Sequence, residues 1–370
     1  MRYFLIAGEA SGDLHGGNLI KALKAEDSSA EFRFWGGDCM AAAAGMPPAV
    51  HYRDGAVMGI GDVLAKLPSI TRRLGACKKD IALWKPDAAI LIDYPGFNLK
   101  VARFCHKEGI KVLYYIAPKT WASREHRNAM LKAWIDRLFI IFPFEVPYFQ
   151  EKGIPFTYTG NPLVDEVEAC TFVLPCAEPY LAILPGSRMG EISHTLPVCL
   201  EAAKRMGMKV LVAGAPSMTP EDYAPFLAGD ANVELLFGRT YDILKFASAA
   251  MINSGTASLE AALIGTPQVV CWSSGKLTWF VGKKILRVLD HVKYISLANL
   301  CLDKVVFKEL LQDDFNVPAL VAELHSLVED PLRRSAMQDD YAALRKRLGS
   351  GGASRKAAEA MINEIKPQKI

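Results

Sequence analysis

Two short segments in the second half of the chain contain residue types suited to binding phosphate. In one, the apolar run from Ala249 to Ile252 leads into a turn of small and hydroxyl-bearing residues and then into a helical pattern. The residues of interest in that segment are Ser254, Gly255, Thr256, Ala257 and Glu260. Backbone N–H groups at the start of a helix have no intrahelical partner and therefore attract anions. The segment predicts a phosphate site.

The other segment follows the apolar run from Tyr180 to Leu184. It contains Pro185, Gly186, Ser187 and Arg188, with Glu191 near the start of the next helical pattern. An arginine side chain carries a fixed positive charge and can donate to two phosphate oxygens at once. The two turns together predict a diphosphate ligand in the second half of the chain.

In the first half, acidic residues follow predicted strands. Asp93 comes directly after the run from Ala88 to Ile92 and lies near Tyr94 and Phe97 in the sequence. Partial burial among aromatic rings raises the pKa of a carboxyl group and makes it a better general base. Asp93 is therefore the predicted base, and the alternative is that it caps the following turn.

The segment after the first predicted strand carries Glu9, Ser11 and Asp13. Its Gly-x-x-x-Gly spacing resembles a dinucleotide motif only superficially, because the two carboxylates would repel a pyrophosphate. Helix capping explains Ser11 and Asp13 equally well. It does not explain Glu9, which we expect to have a role in the reaction.

Two further segments are candidates for ligand contacts. The aromatic and basic residues from Ala117 to Arg127 could line a pocket that holds a phosphate, although an amphipathic helix explains Glu125, His126 and Arg127 about as well. The segment from Phe307 to Gln312 is predicted to be helical, with Glu309 and Gln312 on one face. A carboxylate there could accept hydrogen bonds from a ribose diol, with Asn299 nearby.

Short apolar runs separated by helix-length segments must position these residues. The predicted strands are Tyr3 to Ala7, Phe32 to Trp35, Ala88 to Ile92, Val112 to Ile116, Leu138 to Ile141, Tyr180 to Leu184, Lys209 to Ala213, Val233 to Leu236, Ala249 to Ile252 and Gln268 to Cys271. This alternation is typical of parallel strands with crossover helices. The predicted fold class is α/β, with two doubly wound domains facing a central cleft and a linker from Cys170 to Pro179. In such sheets ligands bind beyond the carboxyl ends of the strands.

Composition narrows the class of protein. The chain has 370 residues, of which 51% are hydrophobic, and a formal net charge of +3. This length favours two domains, and the small net charge argues against a general nucleic-acid binder. The 8 cysteines show no Cys-x-x-Cys spacing, which indicates reduced thiols in the cytoplasm and no zinc site.

No apolar run reaches the roughly 18 to 20 residues needed to cross a bilayer, so we expect any membrane contact to be peripheral. The segment from Gly275 to Val288 mixes bulky apolar and cationic residues, which suits a membrane interface or a core helix with extended lysines. The segment from Val57 to Leu74 could form an apolar entrance, but core packing explains it more simply.

The motifs, in their order and spacing, extend along nearly the whole chain. They are Ala7 to Asp13, Met58 to Ile60, Asp93 to Asn98, Trp121 with Ala122, Pro143 to Glu145, Leu184 to Arg188 with Glu191, Ser254 to Glu260, Tyr294 to Leu297 with Asn299, and Lys308 to Gln312. This set resembles the lipid-A-disaccharide synthases, bacterial glycosyltransferases of family 19. The chain departs from that family's pattern at Ser123, where a tryptophan is usual, and at Asn161, where a histidine is usual.

The resemblance implies a GT-B fold of two Rossmann-like domains. The first, residues 1–170, would bind the acceptor, and the second, residues 171–345, the UDP-sugar. Residues 346–370 would form a helix that packs back on the first domain. The implied reaction joins UDP-2,3-diacylglucosamine to 2,3-diacylglucosamine 1-phosphate (lipid X) with inversion, giving a β-1,6 linkage and UDP without a metal or other cofactor. The implied location is the cytoplasmic face of the inner membrane of a Gram-negative bacterium, as a monomer or homodimer.

The resemblance and the residue patterns together assign roles. Asp93 is the predicted base, supported by Glu9 and Asp13. The predicted donor-site residues are Gly186, Ser187, Arg188, Ser254, Gly255, Thr256, Ala257, Glu260, Asn299, Glu309 and Gln312, and those of the acceptor site are Ser11, Asn98, Trp121 and Arg124. The rival hypotheses are another GT-B sugar-nucleotide enzyme, such as a UDP-sugar 2-epimerase, and a non-catalytic nucleotide-sugar binding protein.

Overall fold

The computed structural model describes residues 1–55, 67–227, 230–253, 255–273 and 293–366. The chain divides into two compact units. Unit 1 comprises Met1–Pro162 together with Ser350–Ile370, and unit 2 comprises Leu163–Gly349. The segment from Cys170 to Pro179 contains no helix or strand, and the first unit ends before it, at Pro162.

Unit 1 is built on a parallel sheet of 7 strands. Its strands are β1 (Arg2–Ala7), β2 (Glu31–Gly36), β3 (Val50–His51), β4 (Ala88–Ile92), β5 (Lys111–Tyr115), β6 (Arg137–Ile140) and β7 (Phe156–Tyr158), in the order β3-β2-β1-β4-β5-β6-β7. The described helices of the unit are α1 (Ala10–Glu26), α2 (Asp38–Ala44), α3 (Leu67–Trp84), α4 (Pro95–Lys107), α5 (Arg127–Trp134) and α6 (Glu145–Glu151). The last helix of the chain, named below, completes it.

Unit 2 is built on a parallel sheet of 6 strands. The strands are β8 (Tyr180–Leu184), β9 (Lys209–Gly214), β10 (Val233–Phe237), β11 (Ala249–Asn253), β12 (Gln268–Trp272) and β13 (Glu309–Leu311), in the order β10-β9-β8-β11-β12-β13. The remaining described helices, taken along the chain, are α7 (Pro162–Ala169), α8 (Met189–Met206), α9 (Pro220–Leu227), α10 (Thr240–Phe246), α11 (Thr256–Ile264), α12 (Leu297–Leu302), α13 (Val317–Glu329), α14 (Pro331–Leu348) and α15 (Ala353–Ile365).

Helix α15 follows unit 2 in sequence but belongs to unit 1, where it packs against α1. Arg355 reaches Glu26 of α1 at 2.9 Å. Near the other end of the helix, Glu364 forms ion pairs with Lys111 at 3.3 Å and with Arg137 at 3.1 Å. The helix is therefore joined to both α1 and the sheet of unit 1.

The α/β prediction is confirmed, and all ten predicted strands are present. Central strands such as β4 and β8 are buried along their whole length, as expected where helices cover both faces of a parallel sheet. Three short strands at sheet edges were not predicted, namely β3, β7 and β13. The helix predicted from Phe307 to Gln312 was wrong, because Glu309 to Leu311 pair with β12 as a strand.

Candidate active site

In unit 1, Asp93 lies at the carboxyl end of β4 in an unusual backbone conformation. Asp93 and Tyr94 have φ angles of 42° and 48°, in the left-handed region that side chains other than glycine rarely adopt. Such conformations cost about 1–3 kcal/mol each and persist only where the surrounding structure holds them. Strain of this kind often occurs at functional sites, and it is consistent with a functional role for Asp93.

Three hydrogen bonds hold this strained residue. The Asp93 carbonyl accepts from Asn98 Nδ2 at 2.7 Å and from the Tyr114 hydroxyl at 2.6 Å, and the Asp93 N–H donates to the Tyr115 carbonyl at 3.1 Å. Asn98 is fully buried and also donates to the Ile92 carbonyl. Asn98, predicted as an acceptor contact, therefore lies beneath the loop and braces Asp93.

The electrostatic surroundings of Asp93 suit a general base. Burial, followed by the nearby negative charge of Glu9, raises the pKa of the Asp93 carboxyl, while the charge of Lys119 acts in the opposite direction. Glu9 is exposed at the start of α1, and its carboxylate accepts a hydrogen bond from Ser11 Oγ at 3.1 Å. The structure thus brings Asp93, Glu9 and Ser11 to one edge of the sheet. Lys119, which was not among the predicted site residues, joins them.

Asp13 has a different environment. Its buried carboxylate accepts hydrogen bonds from the N–H groups of Gly37 at 2.6 Å, Cys39 at 2.9 Å and Met40 at 3.2 Å. These donors belong to the start of α2, where an anionic cap is favourable. The capping alternative left open by the sequence therefore agrees with the contacts of Asp13, although the capped helix is α2 rather than α1.

Trp121 is anchored by a buried acid that the sequence analysis did not select as a site residue. The Trp121 indole N–H donates to Glu145 Oε1 at 3.2 Å, and Glu145 Oε2 accepts from the N–H groups of Ile141 and Phe142 at 3.2 and 3.1 Å. Glu145 is 2% exposed. Burial raises its pKa to about 7, although these donors and Lys119 favour the charged form. The only sequence signal for Glu145 was its place in the Pro143 to Glu145 motif.

In unit 2, the first of the two turns predicted to bind phosphate lies between β8 and α8. Gly186 has a φ of 111°, and a Cβ atom there would collide with Glu191. The Glu191 carboxylate accepts from the Ser187 N–H and from Arg188 Nη1, both at 2.9 Å. A carboxylate thus occupies the start of α8, and the Arg188 side chain is 72% exposed. Donors of this turn are therefore engaged by Glu191, a carboxylate of the chain itself.

The second turn lies between β11 and α11. Gly255 precedes the helix with a φ of 151°, Thr256 is exposed in the first turn, and Ala257 is half-buried. Glu260, one turn further on, accepts a hydrogen bond from the Tyr241 hydroxyl at 3.2 Å. Ser254 falls outside the described residues, as do Met58 to Ile60, Gly275 to Val288 and most of the segment from Val57 to Leu74.

Glu309 and Asn299 form a tightly bonded group at the start of α12. The Glu309 carboxylate accepts from the N–H groups of Ile295 and Ser296 at 2.9 Å, from Ser296 Oγ at 2.6 Å and from Asn299 Nδ2 at 2.9 Å. Asn299 is fully buried, and its Oδ1 accepts from the Val306 N–H at 2.8 Å. Gln312 follows β13 with a φ of 51°, and its Oε1 accepts from Ser273 Oγ at 3.4 Å. Both oxygens of Glu309 are therefore already engaged.

The described residues lack two features that would change the class of site. They contain no group of three or more His, Cys, Asp or Glu side chains that could hold a metal ion. None of the helices in the described ranges is both long and apolar enough to cross a membrane.

Comparison with solved structures agrees with this architecture. The UDP-GlcNAc 2-epimerase from Neisseria meningitidis, bound to UDP-GlcNAc, superposes with a TM-score of 0.70 at 12% identity and covers 98% of this chain and 100% of its own. The calicheamicin glycosyltransferase CalG4 superposes with a TM-score of 0.58 at 15% identity over 100% of both chains. At these identities the similarity shows a shared fold, of the GT-B class, and nothing about substrate.

Sequence comparison is more specific. The lipid-A-disaccharide synthase of Geobacter metallireducens is 37% identical over 379 residues, covering 98% of this chain and 97% of the relative. That of Geobacter sulfurreducens is 35% identical over 381 residues, covering 99% and 98%. A family model described as lipid-A-disaccharide synthetase matches residues 3–364. The chain therefore belongs to the lipid-A-disaccharide synthase family.

Proposed function

We propose that this protein is an inverting glycosyltransferase that joins UDP-2,3-diacylglucosamine to lipid X, giving the β-1,6-linked disaccharide 1-phosphate and UDP. The family match along residues 3–364 is the observation that carries the proposal. The contacts of Asp93 and of the two turns in unit 2 supply a mechanism for it. A sugar nucleotide and a lipid-linked acceptor are the substrates that the family implies.

The proposed donor site uses the two turns of unit 2. Arg188 and the N–H groups at the starts of α8 and α11 would neutralise the diphosphate, which gains negative charge as UDP leaves. The backbone of these turns includes Gly186, Ser187, Gly255, Thr256 and Ala257. Ser254 is retained as a donor-site residue on the sequence pattern alone. The contact of Glu191 with Ser187 and Arg188 supports an anion site here, because the same donors already hold a carboxylate.

For the ribose we favour Glu260 over Glu309. Glu260 lies one helical turn beyond Thr256, in the middle of α11, and is half-buried. Both oxygens of Glu309 already accept hydrogen bonds around the start of α12. We therefore propose that Glu309, Asn299 and Gln312 shape the donor site by supporting its backbone.

In the proposed reaction, Asp93 accepts the proton of the acceptor 6-hydroxyl as that oxygen attacks the anomeric carbon. The bond to the UDP oxygen breaks on the opposite face, and a single displacement inverts the configuration. Burial and the charge of Glu9 raise the pKa of Asp93, which strengthens its carboxylate as a base. Glu9, with Ser11, would orient the acceptor and stabilise the positive charge that develops on the sugar, while Asp13 would act indirectly by supporting α2.

The acceptor site would be completed by Trp121 and Arg124, with Asn98 holding Asp93 in place. Acylated substrates place the reaction at a membrane surface. We therefore propose a cytoplasmic enzyme that is peripherally bound to the inner membrane of a Gram-negative bacterium.

The test is UDP release by the purified protein in detergent and EDTA, with UDP-2,3-diacylglucosamine as donor and with or without lipid X. Acceptor-dependent release that persists in EDTA supports the proposal. Binding of UDP without acceptor-dependent release contradicts it and favours an epimerase or a binding protein.

The proposed base is tested by Asp93→Asn, which retains the shape of the side chain and removes its basicity. Turnover is expected to fall about 100- to 10,000-fold with UDP affinity unchanged. Asp87→Asn is the matched control, because Asp87 flanks the other end of β4 and accepts a hydrogen bond from the Arg2 N–H that an asparagine can retain. Near-normal turnover of Asp93→Asn would transfer the proposed role to Glu9.

A further inference from the structure

Two arginines lie close together where the loop after β5 enters α5. Arg124 has a φ of 58°, and its carbonyl accepts a hydrogen bond from the Arg127 N–H at 2.9 Å, which closes a turn between them. Arg124 is exposed and Arg127 is half-buried. Burial and the charge of Arg124 lower the pKa of Arg127, as expected for neighbouring guanidinium groups. We refer to these residues as the Arg124–Arg127 pair.

The pair lacks the carboxylate partners that several other arginines of the described chain have. Four other half-buried arginines each contact a carboxylate: Arg33, Arg137, Arg239 and Arg333. In the part of the chain that the structure describes, neither Arg124 nor Arg127 forms an ion pair. Glu125, which lies between them in sequence, instead contacts Lys152 at 2.7 Å. An anion that bound there would stabilise two adjacent cations, one of which is partly removed from water.

The pair is also connected to Asp93. The Tyr114 side chain interacts electrostatically with Arg127, and its hydroxyl donates to the Asp93 carbonyl at 2.6 Å. The pair and the proposed base therefore lie at the same edge of the unit 1 sheet. The proposed acceptor carries its reacting hydroxyl on C6, which is attached to C5, and its phosphate on C1. C5 and C1 are the two ring carbons bonded to the ring oxygen. With Asp93 bound to the C6 hydroxyl and the two arginines bound to the C1 phosphate, the orientation of the sugar ring would be fixed.

We propose that the Arg124–Arg127 pair binds the phosphate of a sugar 1-phosphate acceptor and thereby selects the phosphorylated acceptor. This inference rests on the proposed function. Two guanidinium groups can donate several hydrogen bonds to phosphate oxygens in the fork geometry that arginine provides. A phospholipid headgroup presents the same chemistry, so the experiment must separate the two sources.

The experiment measures kcat/KM for lipid X and for its dephosphorylated 1-hydroxyl form, in nonionic detergent free of phospholipid. The ratio of the two values reports recognition of the phosphate. We expect Arg127→Gln and Arg124→Gln each to lower this ratio about 10- to 100-fold. Compared with Arg127→Gln, Arg127→Lys should restore only part of the ratio, because lysine keeps the positive charge but lacks the planar group that donates two parallel hydrogen bonds. The matched control is Lys132→Gln, an exposed cation on the same helix, which should leave the ratio unchanged.

The outcomes separate the two proposals. If the wild type transfers to neither acceptor, the proposed function fails, and the subsite fails with it. If transfer occurs and the ratio is the same in wild type and both glutamine variants, the subsite is refuted while the function stands. If the variants keep the ratio but lose co-sedimentation with phosphatidylglycerol vesicles, the pair contacts the membrane, which also overturns the proposal. Because Arg124 is exposed, its variant keeps the test valid should Arg127→Gln fail to fold.

Discussion

The buried carboxyl of Glu145 is expected to make the protein less stable as the pH rises. In the folded chain its pKa is raised from 4.5 to about 7, mainly by burial. Below pH 4.5 the group is protonated whether the chain is folded or unfolded. Between 4.5 and about 7, the folded protein keeps a proton that the unfolded chain has released. The free energy of unfolding therefore falls across this window.

The size of the effect follows from the two pKa values. A pKa difference of one unit corresponds to about 1.4 kcal/mol, so the shift of Glu145 corresponds to a loss of about 3 kcal/mol once the pH exceeds 7. Glu145→Gln removes the ionisation. Its amide cannot accept every hydrogen bond from Trp121, Ile141 and Phe142, which should reduce stability by about 1–3 kcal/mol at every pH. The pH-dependent part of the difference is therefore the quantity to examine.

The measurement is urea unfolding of wild type and Glu145→Gln at matched pH values from 4.5 to 8, followed by tryptophan fluorescence. The stability of the wild type relative to the variant should decline by about 3 kcal/mol over this range. Glu151→Gln serves as the control, because Glu151 lies on the same helix and its side chain is 74% exposed. If the free energy of unfolding changes with pH in the same way for the wild type and for Glu145→Gln, then Glu145 does not titrate with the raised pKa that its burial implies, and the prediction is wrong.

Three further predictions concern the proposed sites. The acid limb of the pH profile of kcat/KM should move to lower pH in Glu9→Gln, because this variant removes a negative charge that raises the pKa of Asp93. It should move to higher pH in Lys119→Gln, because this variant removes a positive charge that lowers the same pKa. Shifts in the same direction would contradict the role of Asp93 as the titrating base. Glu309→Ala should lower the free energy of unfolding by about 2 kcal/mol, since it leaves the N–H groups of Ile295 and Ser296 without their acceptor. Glu260→Gln should weaken the binding of UDP, measured by calorimetry. Loss of UDP affinity in Glu309→Ala with unchanged stability would restore Glu309 as the ribose ligand.

The central strands were predictable because their residues are apolar on both faces. In a chain of alternating elements, runs as short and apolar as Ala88 to Ile92 and Ala249 to Ile252 strongly favour buried parallel strands. The edge strands β3 and β13 are short and less apolar, so periodicity does not identify them. The Glu309 segment was misassigned because a three-residue spacing of polar side chains fits one helical face equally well.

The candidate site was predictable to the extent that it depends on strand ends. A carboxylate directly after an apolar strand identifies Asp93 without knowledge of its contacts. Contacts between residues that are far apart in the sequence leave no local sequence pattern from which they could be predicted. The bonds of Asp13 to Gly37 and of Trp121 to Glu145 join segments more than 20 residues apart, and only the folded chain brings them together. The distinction between a carboxylate available to a ligand and one already engaged, as in Glu309, therefore required the structure.

The position of α15 bears on the order in which the protein forms during synthesis. Unit 2 is continuous from Leu163 to Gly349, whereas unit 1 takes its last helix from the end of the chain. Domains generally fold as units while the chain emerges from the ribosome, with the N-terminal domain first. Here the surface of α1 that packs against α15 stays uncovered until α15 has been translated, which happens after all of unit 2. The later unit in sequence can thus be complete first, and premature termination near residue 350 would yield a finished unit 2 attached to an unfinished unit 1.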